Sequence, residues 1–341
     1  MPRRAGESGL RDDLDSTTSN ATRIEPEPLD SPAVEEGSKS STAAEPSVRP
    51  PKMTFSHSRI SSFDSCRLKF HFRYVQKLPA ESEGIEAFVG KRVHEVLERL
   101  HMFVDRGQVP SAAKVIARFH TLWDEHFDPD RIRIAREGTP IEFYKQLGER
   151  CLHNYYRAHY PFDEGETLGL EQHVAFALDE AGDYKMQGIV DRIVRAPDGV
   201  IEIQDYKTGA RVPSQERLDK DHQLAFYQLG LAKEYGSDQP MRLVWHYVAK
   251  GQKRVSTRTP EQLERLRKNT IRKIDKIGAE REFAPKQSML CGWCEYRSIC
   301  PVFAEPGAKP RATAYKAPVR RAPAPQPRRQ QLNLFGPRPS M

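Results

Sequence analysis

Two aspartates and a lysine carry the chemistry this sequence makes available. Asp191 closes the run Gly188-Ile189-Val190-Asp191, and Asp205 opens Asp205-Tyr206-Lys207-Thr208-Gly209. Between them, Pro197-Asp198-Gly199 reads as a three-residue hairpin loop, so that Ala196 faces Val200 and, counting outward, Asp191 lies opposite Asp205. Side chains alternate along a strand, which places Asp205 and Lys207 on one face together with Ile201 and Ile203. Two close carboxylates with no other relief from their repulsion make a seat for hard divalent cations such as Mg2+ or Mn2+, which take oxygen ligands. An ammonium beside them can orient an attacking water or offset charge growing on a phosphate, while the metal polarises phosphoryl oxygens. The chemistry implied is phosphodiester hydrolysis.

An Asp-x-Lys triplet is common by composition alone, and taken singly it reads more readily as an ion pair at a strand end. Asp183-Tyr184-Lys185 repeats the same letters, yet it follows Gly182 at the mouth of a strand and has no upstream acid on a paired strand. Asp205-Tyr206-Lys207 ends an apolar strand and is the better candidate.

The elements that must hold these groups follow from periodicity. Val89, Val93, Val96, Leu97, Leu100 and Val104 recur at helical steps, and similar patterns cover 111–126 and 140–158. Strands are expected over Leu168–Leu178, Tyr184–Ala196 and Val200–Tyr206, then one helix over Ser214–Tyr235. Further strands are expected at Met241–Val248 and Arg254–Thr257, and a helix at Pro260–Ile277. The pattern predicts an α/β fold, a mixed central sheet flanked by helices, with a helical N-terminal part.

Of the 341 residues, those from 1 to about 52 are rich in Ser, Thr, Pro, Glu and Ala and lack apolar periodicity, as expected of a disordered arm. A basic Ala-, Pro- and Arg-rich tail occupies 305–341, leaving a globular body over 53–304. No window approaches the length of apolar chain that a membrane span needs, and no apolar stretch follows Arg3-Arg4, so a protein of the cytoplasm without a secretory signal is expected. A net charge of +7 suits a polyanionic partner. Five cysteines, three of them clustered, do not form a disulfide ladder and fit metal ligation in a reducing compartment.

Four motifs in order span nearly the whole body: Gly90-x3-His94, Gly188-Ile189-Val190-Asp191-Arg192, Asp205-Tyr206-Lys207-Thr208-Gly209 and Gln223-Leu224-x2-Tyr227. Together they resemble the successive motifs of RecB-like nucleases of the PD-(D/E)xK superfamily, with its restriction-endonuclease-like core. The resemblance implies that His94, Asp191, Asp205 and the carbonyl of Tyr206 bind the divalent metal, that Lys207 is catalytic, and that Gln223 and Tyr227 border the site. Glu98 and His101 share the helix face of His94 and rival it as ligands. DNA is the substrate the family implies, and the chain is expected to be nucleoid-associated and to act in repair, recombination or replication, more as an exonuclease than an endonuclease. It carries no Gly-x4-Gly-Lys-Ser/Thr sequence, so any ATP motor would be a helicase partner's.

Cys291, Cys294 and Cys300, with Cys66 far upstream, offer four soft ligands. Their arrangement resembles the iron-sulfur, AddB-like subgroup of these nucleases, which implies a structural 4Fe-4S cluster; a four-cysteine Zn2+ site is the alternative. Cys151, beside Leu152 and Tyr155, reads as a buried thiol. In the tail, Gln331-Leu332-Asn333-Leu334-Phe335 resembles the bacterial sliding-clamp-binding peptide, with Gln331, Leu332, Leu334 and Phe335 as anchors. Two rival readings are a catalytically silent DNA-binding scaffold recruited to the clamp and a zinc-stabilised RNA nuclease. Intact Asp191, Asp205 and Lys207 argue against the first; a colourless zinc protein cutting only RNA would favour the second.

Overall fold

The computed structural model describes residues 53–303, so the expectations for the arm and for the tail, including Gln331, Leu332, Leu334 and Phe335, lie outside the described residues. In chain order the elements are α1 (His57–Ser65) and α2 (Arg67–Phe70), which continues into a π-helical turn (His71–Val75). Next come β1 (Glu83–Gly84), α3 (Ile85–Val104), α4 (Ala112–His126), β2 (Ile132–Arg133) and α5 (Ile141–His159). The sheet strands β3 (Glu166–Ala177), β4 (Lys185–Arg195) and β5 (Ile201–Tyr206) follow. After α6 (Gln215–Asp219) and α7 (Gln223–Tyr235) the chain returns as β6 (Met241–Tyr247) and β7 (Gln252–Ser256), and α8 (Pro260–Ala279) succeeds them.

Five strands pair in the order β3-β4-β5-β6-β7; β5 and β6 run parallel and every other pair antiparallel. A parallel pair cannot be joined by a hairpin, and α6 with α7 supplies the crossover. All six residues of β5 are buried, because apolar layers cover both faces of this central strand. One layer joins Ile201, Ile203, Leu243 and Trp245 to Leu224 and Leu231 of α7 and Ile274 of α8. The other gathers α3, α4 and α5 around Tyr206 and Val248. The fold is the mixed, helix-flanked α/β sheet that the periodicity implies. Among the described residues no helix is long and apolar enough to cross a membrane.

The single helix expected over Ser214–Tyr235 is in fact two. Arg258 donates to the carbonyls of Leu218 (2.7 Å) and Asp221 (2.9 Å), and the Asp221 side chain accepts from the Gln223 amide at 2.9 Å. Carbonyls claimed by a guanidinium and an amide claimed by a carboxylate are lost to an i to i+4 ladder, so the helix breaks and restarts at Gln223. At α8, by contrast, Thr259 and Gln262 form a reciprocal cap ahead of a proline in the first turn.

Candidate active site

The β4–β5 hairpin sets the register of the site. Ala196 N–H donates to Val200 O at 2.9 Å, Gly199 adopts φ 80°, and the pairs run from Arg195/Ile201 to Arg192/Gln204. The next positions outward are Asp191 and Asp205, and there the Tyr206 amide donates to Asp191 Oδ2 at 2.8 Å. Asp205 Oδ1 accepts from Gln223 Nε2 at 2.8 Å, while Lys207 Nζ lies 2.7 Å from Asp205 Oδ2 and donates to Gln223 Oε1 at 2.8 Å. Lysine, aspartate and glutamine thus close a ring in which the two ends of one amide satisfy opposite charges. Asp205 Oδ2 is buried and is taken by the Lys207 ammonium as an ion pair, so Asp205 is not one of the three residues, His94, Glu171 and Asp191, whose ligand atoms gather within 4.8 Å. Burial raises the Asp205 carboxyl; Lys207 opposes this, Asp191 adds to it, and the result is about 6.

His94 reaches the same place from the middle of α3. Its Nε2 is 2.8 Å from the Tyr206 carbonyl and its Nδ1 3.4 Å from Asp191 Oδ1. Burial works against the imidazolium, but the hydrogen bond and charge of Asp191, then the charges of Asp205 and Glu171, outweigh it and lift His94 to about 9. Neither rival on its helix joins this cluster. His101 is buried, with Nε2 2.8 Å from Tyr155 Oη, and burial followed by the Arg192 charge drives it well below the usual histidine range. Glu98 is not among the residues whose ligand atoms gather around His94. Tyr206 turns its phenol away from the site, 3.3 Å from Tyr155 Oη, and offers its carbonyl. Asp183-Tyr184-Lys185 stands elsewhere, its tyrosine donating to Asp275 at 2.7 Å.

Sequence reasoning missed Glu171. It falls in β3 between the Leu170/Arg192 and Gln172/Val190 pairs, hence across from Asp191. Its φ of 44° is left-handed, a conformation that costs a non-glycine residue free energy and gathers at functional sites. Ligand atoms of His94, Glu171 and Asp191 all lie within 4.8 Å of one another, two carboxylates and an imidazole suited to a divalent cation.

Tyr227 borders the cluster from α7, and its ring lies against Gly188. A Cβ at position 188 would come 2.2 Å from Tyr227 Cε1, so only glycine admits the ring. Gly188→Ala is expected to push Tyr227 out of the site, destabilising the fold by about 1–3 kcal/mol. Thermal melts should show that loss, and an unchanged melting temperature would mean that the ring has room to move.

Four cysteines meet at a second place. Cys66, at the α1–α2 junction, and Cys291, Cys294 and Cys300 line one cavity of about 180 Å³. Two backbone amides point at sulfur, Lys286 N–H to Cys66 Sγ (3.4 Å) and Ser288 N–H to Cys291 Sγ (3.3 Å), and none of the four forms a disulfide. The loop that carries the last three is held to the body by Arg133, which donates to the carbonyls of Gly292 (2.6 Å) and Cys294 (3.2 Å), and by a Lys69–Glu295 ion pair at 2.8 Å. Four thiols around one cavity are a donor set for a soft-metal group. Cys151 lies apart, fully buried, where burial pushes its thiol up to about 12.

A mixed sheet whose central strand ends in an acid and a lysine, with a second acid across the hairpin, is the arrangement of a metal-dependent phosphodiesterase. Residues 54–301 match the model of the PD-(D/E)XK nuclease superfamily, and the chain belongs to that superfamily. No curated protein matches it. Among solved structures it is similar to the crystal structure of SSO0001, at 14% identity over 73% of this chain and 96% of that one, with a TM-score of 0.27.

Proposed function

We propose that the chain is a Mg2+- or Mn2+-dependent DNA nuclease, acting as an exonuclease in repair, recombination or replication. The observation that carries this reading is the meeting of Asp191, Asp205, Lys207 and His94 around the end of β5. Asp191, Glu171, Asp205, His94 and the Tyr206 carbonyl would hold the cation. When bound, it supplies a polarised phosphoryl oxygen and a water of lowered pKa. Lys207, pinned by Asp205 and Gln223, orients the attacking water and offsets charge on the phosphorane-like oxygens. Tyr227 and Gln223 border the site. The four cysteines that line one cavity would hold a 4Fe-4S cluster, with a four-cysteine Zn2+ site as the alternative. The tail residues Gln331, Leu332, Leu334 and Phe335 would dock on a sliding clamp, and a separate helicase would supply strand opening.

The test is cleavage by purified protein, with Mg2+ or Mn2+ and with chelator, of linear and circular DNA, of single and double strands, and of RNA. Metal-dependent degradation of linear DNA is expected. Cleavage of RNA alone, or none by a folded protein, would overturn the proposal.

The site's pH dependence follows from the same groups. His94 must shed its proton before its nitrogen can ligate a cation, and with a pKa of about 9 it holds that proton at neutral pH. Asp205, at about 6, takes up a second proton as the pH falls further. Activity at limiting metal is therefore expected to rise from pH 6 toward pH 9, apparent metal affinity changing up to about tenfold per pH unit. Excess Mg2+ should restore activity at the lower pH. Glu171→Gln, which removes one candidate ligand charge, should raise the Mn2+ needed for half-maximal rate about tenfold. A rate that is flat with pH at limiting metal would remove His94 from the ligand set.

A further inference from the structure

A cavity of about 360 Å³ lies between α3 and α4 and the turn that joins them. Its floor is aliphatic and aromatic, formed by Val96, Leu100, Phe103 and Val115, and Arg99, Lys114 and Arg118 stand around it. None of the ten residues lining it is acidic. Arg118 has a buried Nε with no hydrogen-bond partner, and its Nη1 makes a long ion pair with Glu125 at 3.9 Å. Arg99 lies over the Phe103 ring at 5.5 Å, so that a cation and an apolar surface are presented together. Val109, at the edge, is 42% exposed.

This cleft is separate from the nuclease site. His94 points from α3 to the sheet, where it meets Tyr206 and Asp191, whereas the cleft opens toward α4. Three cations line the cleft and no acid does, so its charge favours an anion. A phosphate backbone alone would leave the apolar floor wet, and the one aromatic ring in the lining, Phe103, is covered by Arg99 and gives stacked bases no open platform. The ligand that satisfies both features carries negative charge beside one large apolar group.

We propose that this cleft docks an acidic peptide segment of a partner protein, one apolar side chain seated on Val96, Leu100, Phe103 and Val115 and its carboxylates met by Arg99, Lys114 and Arg118. The docking places the nuclease beside a partner without occupying its active site, and it is independent of the nuclease chemistry.

The probe is a fluorescently labelled hexapeptide of four aspartates followed by proline and phenylalanine, titrated into the full chain. Saturable binding is expected, weakened about tenfold by Lys114→Glu or Arg118→Gln and by replacing the peptide's phenylalanine with alanine. Cleavage of naked DNA by the two variants should match the parent, and their melting temperatures should confirm that they fold. Lys114 is exposed, so its reversal tests the charge even if Arg118→Gln disturbs α4. Absence of peptide binding, or binding that both variants leave unchanged, overturns the proposal. So does loss of oligothymidine binding in the variants while the peptide fails to bind, which would make the cleft a nucleic-acid track.

Discussion

Asp205→Asn is expected to abolish DNA cleavage, by about a thousandfold or more in kcat, while the protein becomes no less stable at neutral pH. The two effects part because Asp205 is a buried acid whose pKa is raised to about 6, first by burial and then by Asp191 against the opposing pull of Lys207. A carboxyl whose folded pKa lies above its unfolded value binds protons more tightly when folded. Its ionisation therefore costs stability as pH rises from about 4 through 6, a cost on the order of 3 kcal/mol that persists above that window. Asparagine lacks this charge, can still accept from Gln223 Nε2 through its amide oxygen, and fills the same space. The stability difference between variant and parent should thus grow in the variant's favour between about pH 4 and pH 6 and stay constant beyond. Lys207→Ala is the contrasting case: it should also stop cleavage, but it strips Asp205 of its ion partner at 2.7 Å and should lower the melting temperature. Single-turnover cleavage and melts of both variants across this pH range decide the matter. An Asp205→Asn protein that still cuts, or that melts as early as Lys207→Ala, would show that this carboxylate is a structural ion-pair partner and not part of the nuclease machinery.

How much of this geometry could be read in advance depended on how far each contact lies from a turn of known length. Asp191 and Asp205 were within reach of counting because a three-residue loop fixes the register of a hairpin, and Gly199 supplies the left-handed residue that such a loop needs. Lys207 followed from alternation. Glu171 did not, although it faces Asp191, because β3 joins β4 through the longer 178–184 segment and shifts register between Thr167 and Gly169. A slip of one residue there would send the carboxylate to the opposite face. Which of His94, Glu98 and His101 turns inward was likewise undecidable from one helix face. It is settled by Tyr155, which captures His101 from α5, and by the Tyr206 carbonyl, which lies beside His94. The break before α7 depends on Arg258, distant in sequence, and no local propensity announces it; yet that break brings Gln223 against Asp205 and Lys207.

Cys66→Ala is expected to release iron and sulfide and to lower the melting temperature by about 10–20 °C. The magnitude comes from chain entropy. Cys66 and Cys291 are separated by roughly 225 residues, and a covalent link that closes a loop of this length withdraws about 5 kcal/mol of freedom from the unfolded state. The same segments are also joined by hydrogen bonds from Arg133 to Gly292 and Cys294 and from Tyr296 to Leu78, and by the Arg67–Glu280 and Lys69–Glu295 ion pairs, which the variant keeps. None of the four cysteines supplies an atom to the cluster around Asp205, so the folded fraction of the variant should keep its rate per molecule at low temperature and lose it on warming. Cys151→Ala is the control, since removing a buried thiol costs packing but leaves metal content unchanged. Metal analysis with the visible spectrum separates the outcomes. Iron with sulfide and a brown colour supports the cluster, and zinc without colour would keep the staple while replacing its chemistry. A protein that contains neither metal, or a Cys66→Ala variant that melts with the parent, would mean that hydrogen bonds such as Arg133 to Gly292 and Cys294, and not ligation, hold the C-terminal loop to the body.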